Sequence, residues 1–235
     1  MAKLEISKSF LKGNIKSPPS KSYTHRAIAI ASLAEGKSTI SNPLISRDTI
    51  ATISGCKMLG IKIEKAKENV DCIEILGKNQ FETPKDIINA ENSGTTIRIL
   101  TSMAALVKNG YTILTGDESL KTRPMKPLIS ALNQLGVQAF SSNEKNTPPL
   151  IVKGGGIKGG LASIEGGISS QFISSLLISC IYGLTNVEIR VKEKQVSIPY
   201  INSTIERMKK FGVAVKHDKE YLNYYKTNTR YRPTD

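Results

Sequence analysis

Three short phrases in this chain place small hydroxyl- and amide-bearing residues directly ahead of apolar runs: Ser20-Lys21-Ser22, Asn92-Ser93-Gly94-Thr95-Thr96 and Ser169-Ser170-Gln171. Each run reads as a helix, so each phrase falls at a helix start, where unpaired backbone N–H groups and the positive end of the dipole favour an anion. Taken singly, a Ser, Thr or Asn there is an ordinary N-cap. Lys21, Arg26, Arg98 and Arg123 change that reading. A cation is electrostatically misplaced at a helix start unless something negative joins it, and Arg suits bidentate contact with phosphate or carboxylate. The chemistry these residues suit is therefore the binding of a phosphorylated or carboxylated small molecule.

The elements that must position them repeat. Pro18-Pro19 stops the preceding segment, and Ala27-Ile28-Ala29-Ile30-Ala31-Ser32-Leu33-Ala34 continues a buried helix that starts near Ser22 and runs to 34. Equivalent helices are expected over about 94–107 and 170–183, apolar nearly all round and therefore interior. A second set, 47–59, 124–135 and 200–211, alternates apolar and charged residues and should face solvent; Ser46 caps the first, and Pro124 and Pro199 stand at the starts of the others. These end in Leu59-Gly60-Ile61, Leu135-Gly136-Val137 and Phe211-Gly212-Val213, the glycines 76 residues apart. Strands are expected at 3–6, 13–16, 37–41, 61–64, 111–115 and 187–191. Equal spacing with matching punctuation marks three copies of one α/β unit, approximately 13–80, 81–152 and 153–235. The expected α/β fold is an inside-out, pseudo-threefold domain, with buried helices at the centre and amphipathic helices outside, so that the three helix starts can converge on one surface. Ser197 and Tyr200 open the third outer helix, where a cap and a packed ring compete evenly with a binding role.

Composition narrows the partners. Lys and Arg number 33 against 20 Asp and Glu, a formal charge of +13 over 235 residues, so acidic ligands are expected. Dispersed cations, 6% aromatics and no Trp leave few stacking platforms for nucleic acid. Cys56, Cys72 and Cys180 form no CxxC pair, and with two histidines neither a zinc site nor a disulfide framework is supported. The first residues lack an apolar leader core and no stretch approaches the ~20 apolar residues of a membrane helix, which makes a reduced, cytoplasmic location the default expectation. Two nucleotide signatures fail on context. Gly154–Gly159 is followed by a strand and a turn rather than a helix, so it reads as a glycine loop between strands, and Gly36-Lys37-Ser38 lacks the first glycine of a P-loop.

Four ordered phrases, Ser20–Arg26, Asn92–Arg98, Gly116–Pro127 and Ser169–Phe172, resemble the 3-phosphoshikimate 1-carboxyvinyltransferase (EPSP synthase) family. The resemblance implies three βαβαββ units per globular half and a chain of two halves, of which this is the N-terminal one, residues 13–235; a leading strand at 1–12 would belong with the C-terminal half. It further implies transfer of the enolpyruvyl group of phosphoenolpyruvate to the 5-hydroxyl of shikimate 3-phosphate in aromatic amino acid biosynthesis. The product would be 5-enolpyruvylshikimate 3-phosphate and phosphate, formed without metal or organic cofactor in a monomeric enzyme that glyphosate targets. Carried over residue by residue, Lys21 would touch both substrates and act in catalysis. Ser22, Arg26, Ser169, Ser170, Gln171, Ser197 and Tyr200 would hold shikimate 3-phosphate. Asn92, Gly94, Thr95, Arg98 and Arg123 would hold or brace phosphoenolpyruvate, with Gln171 bridging both. The family's general base lies in the other half, so this chain is expected to bind but turn over little alone. The sister transferase acting on UDP-N-acetylglucosamine is the nearest alternative; it carries Lys-Asn where this chain has Lys21-Ser22, and a loop cysteine absent from Gly116–Pro127. A basic nucleic-acid-binding module is the alternative from another class.

Overall fold

The computed structural model describes residues 4–5, 7–10, 12–67, 69–192, 195–218, 220, 223–225 and 230–234. Three helices form its centre: α1 (Lys21–Leu33), α3 (Gly94–Ala104) and α5 (Ser170–Cys180). Their sequences are apolar on nearly every face, and from Thr24 onward every residue of α1 is buried. α3 packs on both α1 and α5. Three outer helices, α2 (Arg47–Met58), α4 (Lys126–Gln134) and α6 (Ile198–Lys210), cover them, with α2 touching α1 and α3, and α6 touching α5 and α1. Burying this interior is the main stabilising term, at about 1.5–3 kcal/mol for each fully enclosed Leu, Ile or Phe.

Among the described residues, eleven strands make three sheets around the helices. β1 (Gly36–Ser41), β2 (Lys62–Lys65) and β3 (Cys72–Gly77) form an antiparallel sheet in the order β1-β3-β2. β4 (Ile88–Asn89), β5 (Tyr111–Thr115), β6 (Ala139–Ser141) and β7 (Leu150–Lys153) form the second, in the order β4-β5-β7-β6, with β4 parallel to β5. The third contains β8 (Gly160–Ile164), β9 (Val187–Val191), β10 (Lys216–His217) and β11 (Asn223–Tyr225), in the order β10-β11-β9-β8, with β8 parallel to β9. The second and third units thus read βαβαββ, and the glycine loop 154–159 does connect two strands. Gly60, Gly136 and Gly212 close the outer helices with φ of +87°, +79° and +83°, a left-handed turn that glycine adopts without Cβ strain.

Several boundaries depart from the sequence reading. Residues 13–16 are exposed and form no strand, and the expected strand over 3–6 falls partly outside the described residues. The edge of β1 is met instead by the far end of the chain: Thr39 N–H donates to the Thr234 carbonyl at 2.9 Å and Thr234 N–H to Ser38 Oγ at 3.3 Å. α4 begins at Lys126, with Pro127 rather than Pro124 in its first turn, because Leu120–Thr122 form a short 3-10 turn and Arg123, next to Pro124, is held extended at φ −79°, ψ 131°. α6 begins at Ile198, two residues before the expected 200, so that Pro199 lies in its first turn. α3 stops at Ala104 rather than near 107, since Val107 bridges to Phe81, and α5 stops at Cys180, with a turn closing Gly183 N–H onto the Cys180 carbonyl at 3.0 Å.

Candidate active site

The three buried helix starts do converge, and they open onto one cavity of about 400 Å³. α1 contributes Lys21, Ser22 and Arg26; α3 and the loop before it contribute Asn92, Gly94 and Thr95; α5 and its cap contribute Ser169, Ser170 and Gln171. Arg123 enters ahead of α4, and Ser197 and Tyr200 at the start of α6. Every residue given a binding role from the sequence lines this cavity except Arg98, which stands behind the wall: its Nη1 donates to Gln171 Oε1, and its guanidinium lies 4.7 Å from the Phe172 ring.

Capping explains the local geometry of each start. Ser20 Oγ accepts from Tyr23 N–H at 3.4 Å, Ser93 Oγ from Thr96 N–H at 3.2 Å, and Ser169 Oγ from Gln171 N–H at 3.3 Å. Each cap satisfies one first-turn N–H group and leaves others without an intrahelical partner at the cavity's edge. Ser197 behaves differently. It sits in the left-handed region at φ +58° and its side chain makes no capping bond. A non-glycine residue held there costs on the order of 1 kcal/mol or more, and the cost keeps an exposed hydroxyl facing the cavity. Tyr200 is 49% exposed, so the packed-ring reading fails; its ring centre lies 6.0 Å from Arg26 Cζ.

The charges are arranged for an anion. Arg26 is 2% exposed and its partners are neutral: Nε to Thr204 Oγ1 at 2.6 Å, Nη1 to the Ser22 carbonyl at 3.0 Å and Nη2 to Ser174 Oγ at 3.1 Å. Burial holds its guanidinium down at about 10. Arg98 is also drawn down to about 10, first by burial and then by the positive charge of Arg123. A buried guanidinium without a carboxylate is costly, and a ligand carboxylate or phosphate supplies the missing charge. Arg123 Nη2 donates to Asn92 Oδ1 at 3.0 Å, and Asn92 Nδ2 to Asp117 Oδ2 at 2.6 Å. Arg47 and Lys121 lie outside the cavity: the Arg47 side chain is 91% exposed and Lys121 pairs with Glu118 at 2.9 Å.

Comparison with known proteins agrees with this geometry. The family model described as EPSP synthase (3-phosphoshikimate 1-carboxyvinyltransferase) matches residues 6–233. The chain belongs to the EPSP synthase family. Among curated relatives, the 3-phosphoshikimate 1-carboxyvinyltransferase of Methanocaldococcus jannaschii is 47% identical over 226 residues, covering 96% of this chain and 52% of the relative. That of Methanothermobacter thermautotrophicus is 49% identical over 209 residues, covering 88% and 48%. A solved EPSP synthase from Acinetobacter baumannii superposes with a TM-score of 0.82 at 26% identity, over 94% of this chain and 48% of that one. The chain therefore spans about half the length of the relatives it matches.

Within this EPSP synthase fold, sequence reasoning passed over three residues. Asp48, in the first turn of α2, lines the cavity and accepts from Lys21 Nζ at 2.7 Å. Asp117 holds Asn92 and also caps the 3-10 turn, accepting from Leu120 N–H at 2.8 Å. His25 is fully buried, with Nδ1 2.7 Å from Thr52 Oγ1, which lies 2.7 Å from Thr96 Oγ1; the chain of contacts ties α1, α2 and α3 together just beneath their starts. An acid at an outer-helix start is an ordinary favourable charge for the dipole, and nothing local in the sequence pairs it with Lys21.

Proposed function

We propose that this chain is the N-terminal half of an enzyme that transfers the enolpyruvyl group of phosphoenolpyruvate to the 5-hydroxyl of shikimate 3-phosphate. The observation that carries the proposal is the gathering of residues from four distant phrases around one strongly cationic cavity. Ser169, Ser170 and Ser197, with helix-start N–H groups, would take the 3-phosphate, a set of short donors suited to its three oxygens. Arg26, buried and with no carboxylate partner among the described residues, would take the ring carboxylate, with Ser22 and Tyr200 beside it. Arg123, braced by Asn92, and the backbone at Gly94 and Thr95 would hold phosphoenolpyruvate, while Arg98 fixes Gln171 between the two ligands.

The reaction adds the shikimate 5-oxygen to C2 of phosphoenolpyruvate and a proton to C3. Loss of the phosphate from C2 and a proton from C3 then restores the double bond. Lys21 would stabilise the phosphate-bearing intermediate and serve proton transfer at C3. Deprotonation of the 5-hydroxyl needs a base from the C-terminal half, which this reading makes the partner of residues 13–235, with residues 1–12 packing against it. The reading carries with it a monomeric cytoplasmic enzyme with two small anionic substrates and no nucleic-acid ligand. Phosphate release from the two substrates tests it. The expected result is no release with this chain alone and release on mixing with a separately made C-terminal half; no release from the folded pair contradicts it.

A further inference from the structure

We infer that Asp48 is the resident counter-anion of Lys21, a positioning residue that holds the ammonium before a ligand arrives and competes with that ligand for it. This inference rests on the reading of the cavity as a phosphate-ester site. Lys21 Nζ donates to Asp48 Oδ2 at 2.7 Å, and Asp48 is the sole carboxylate among the described residues that line the cavity. In the second and third units the outer-helix start supplies groups that can bind an anion, Arg123 before α4 and Ser197 before α6. In the first unit the start of α2 puts an acid, Asp48, on the cavity wall, while the adjacent Arg47 is exposed and lies outside it; no phosphate or carboxylate ligand would favour that acid for its own sake.

The acid is also held firmly. Its main chain lies in the first turn of α2, where Ser46 N–H donates to Thr49 Oγ1 at 2.9 Å and Thr49 N–H to Ser46 Oγ at 3.4 Å in a reciprocal cap. Its carbonyl oxygen is 3.1 Å from Thr96 Oγ1, which is itself 2.7 Å from the α3 cap, Ser93 Oγ. Asp48 is thus tied through buried hydroxyls to the same helix starts that build the anion site. Its side chain is 28% exposed against 53% for Lys21, so the acid is the fixed member of the pair and the lysine the mobile one. Lys21 can leave Asp48 for a ligand anion, and the ion pair is the state it returns to.

Titration of the chain with inorganic phosphate, followed by NMR, tests this in a double-variant cycle with Asp48→Asn and Lys21→Met. An exposed ion pair of this kind is worth about 1 kcal/mol, so Asp48→Asn is expected to tighten phosphate binding by about five-fold. In the Lys21→Met background the same change is expected to have less than about a 1.5-fold effect, because the competition runs through the lysine. Asp48→Glu, which keeps the charge, should stay close to wild type, and circular dichroism should show all variants folded. Equal tightening in both backgrounds would mean that Asp48 repels the ligand directly and overturns the inference, as would weaker binding or no change in Asp48→Asn. Failure of the functional reading looks different: shikimate 3-phosphate would then bind no better than inorganic phosphate while the cycle with phosphate keeps its coupling.

Discussion

Replacing Gly94 by alanine separates the role of this position in the fold from its role in the site. Gly94 is the first residue of α3, and a Cβ built on it would lie 2.6 Å from Arg123 Nη1 and 3.5 Å from Arg98 Nη1. Ordinary contact begins near 3.4 Å, so the Arg123 guanidinium must retreat by roughly 0.8 Å. It now donates to Asn92 Oδ1 at 3.0 Å, and a retreat of that size carries the bond to or past its useful length. That bond is exposed, so its loss costs the fold little. A guanidinium displaced this far also loses its hydrogen bond to a bound anion, worth about 1.5–3 kcal/mol for a charged group, so phosphoenolpyruvate or inorganic phosphate should bind at least about ten-fold more weakly. The backbone at Gly94 is not left-handed, and an alanine there reduces the freedom of the unfolded chain, which stabilises by about 0.4–1 kcal/mol. The expected pair of results is an unchanged or higher melting temperature with weaker anion binding, read by calorimetry and thermal unfolding. Wild-type affinity in a folded Gly94→Ala chain would refute the placement of Arg123 against this backbone.

Other expectations follow from the same contacts. Arg26→Met keeps the buried volume and removes an uncompensated charge; stability in urea should change by less than about 1 kcal/mol, or rise, while phosphate-ester binding falls by about ten-fold or more. Loss of more than ~3 kcal/mol of stability would show that the guanidinium serves the fold instead. Burial lowers His25 from 6.5 to about 4, opposed by Asp48 and reinforced by Lys21 and Arg26. The unfolded chain therefore binds the proton first. The stability conferred by the neutral ring is complete above pH 6.5 and falls as pH drops toward 4, by about 3 kcal/mol in all. Denaturation midpoints from pH 7.5 to 4.5 should show this slope in the wild type and lack it in His25→Gln; an identical slope in both would place the sensitivity elsewhere. Asp117→Ala should weaken anion binding by about two- to five-fold, through the freed Asn92 amide; no change in affinity would exclude the Asp117-Asn92-Arg123 relay. Because the hydrogen bonds from Asn92 and from Leu120 N–H lower the Asp117 pKa, the variant should also lack a stability contribution that the wild type keeps at neutral pH and loses as pH falls below the ordinary carboxylate range.

Much of the architecture is legible in the sequence because its signals are local. Leu59-Gly60-Ile61 and its two echoes mark the outer helices, and the apolar runs after Ser22, Gly94 and Ser170 mark the inner ones. The site is legible for a related reason: Ser20–Arg26, Asn92–Arg98 and Ser169–Phe172 each carry a helix cap, and Ser20–Arg26, Asn92–Arg98 and Gly116–Pro127 each carry a cation, so position along the chain reports position at the site. What escaped depends on contacts distant in sequence. Residues 13–16 look like a strand but lack a sheet neighbour, and the edge of β1 is met by Thr234, nearly two hundred residues further on. Pro124 resembles a helix start until the 3-10 turn at Leu120–Thr122 displaces α4 to Lys126. Asp48 and His25 acquire meaning from Lys21 and Thr52, both 27 residues away, and the left-handed Ser197 cannot be distinguished from a cap without its backbone angles.

The central claim is that the converging helix starts form a site for shikimate 3-phosphate within this chain. Calorimetric titration of the 235-residue chain with shikimate 3-phosphate, beside a Lys21→Ala, Ser170→Ala double variant, tests it most directly. Saturable one-to-one binding that weakens with added salt and disappears in the folded variant is the expected result. Heat that persists unchanged in the variant would contradict it.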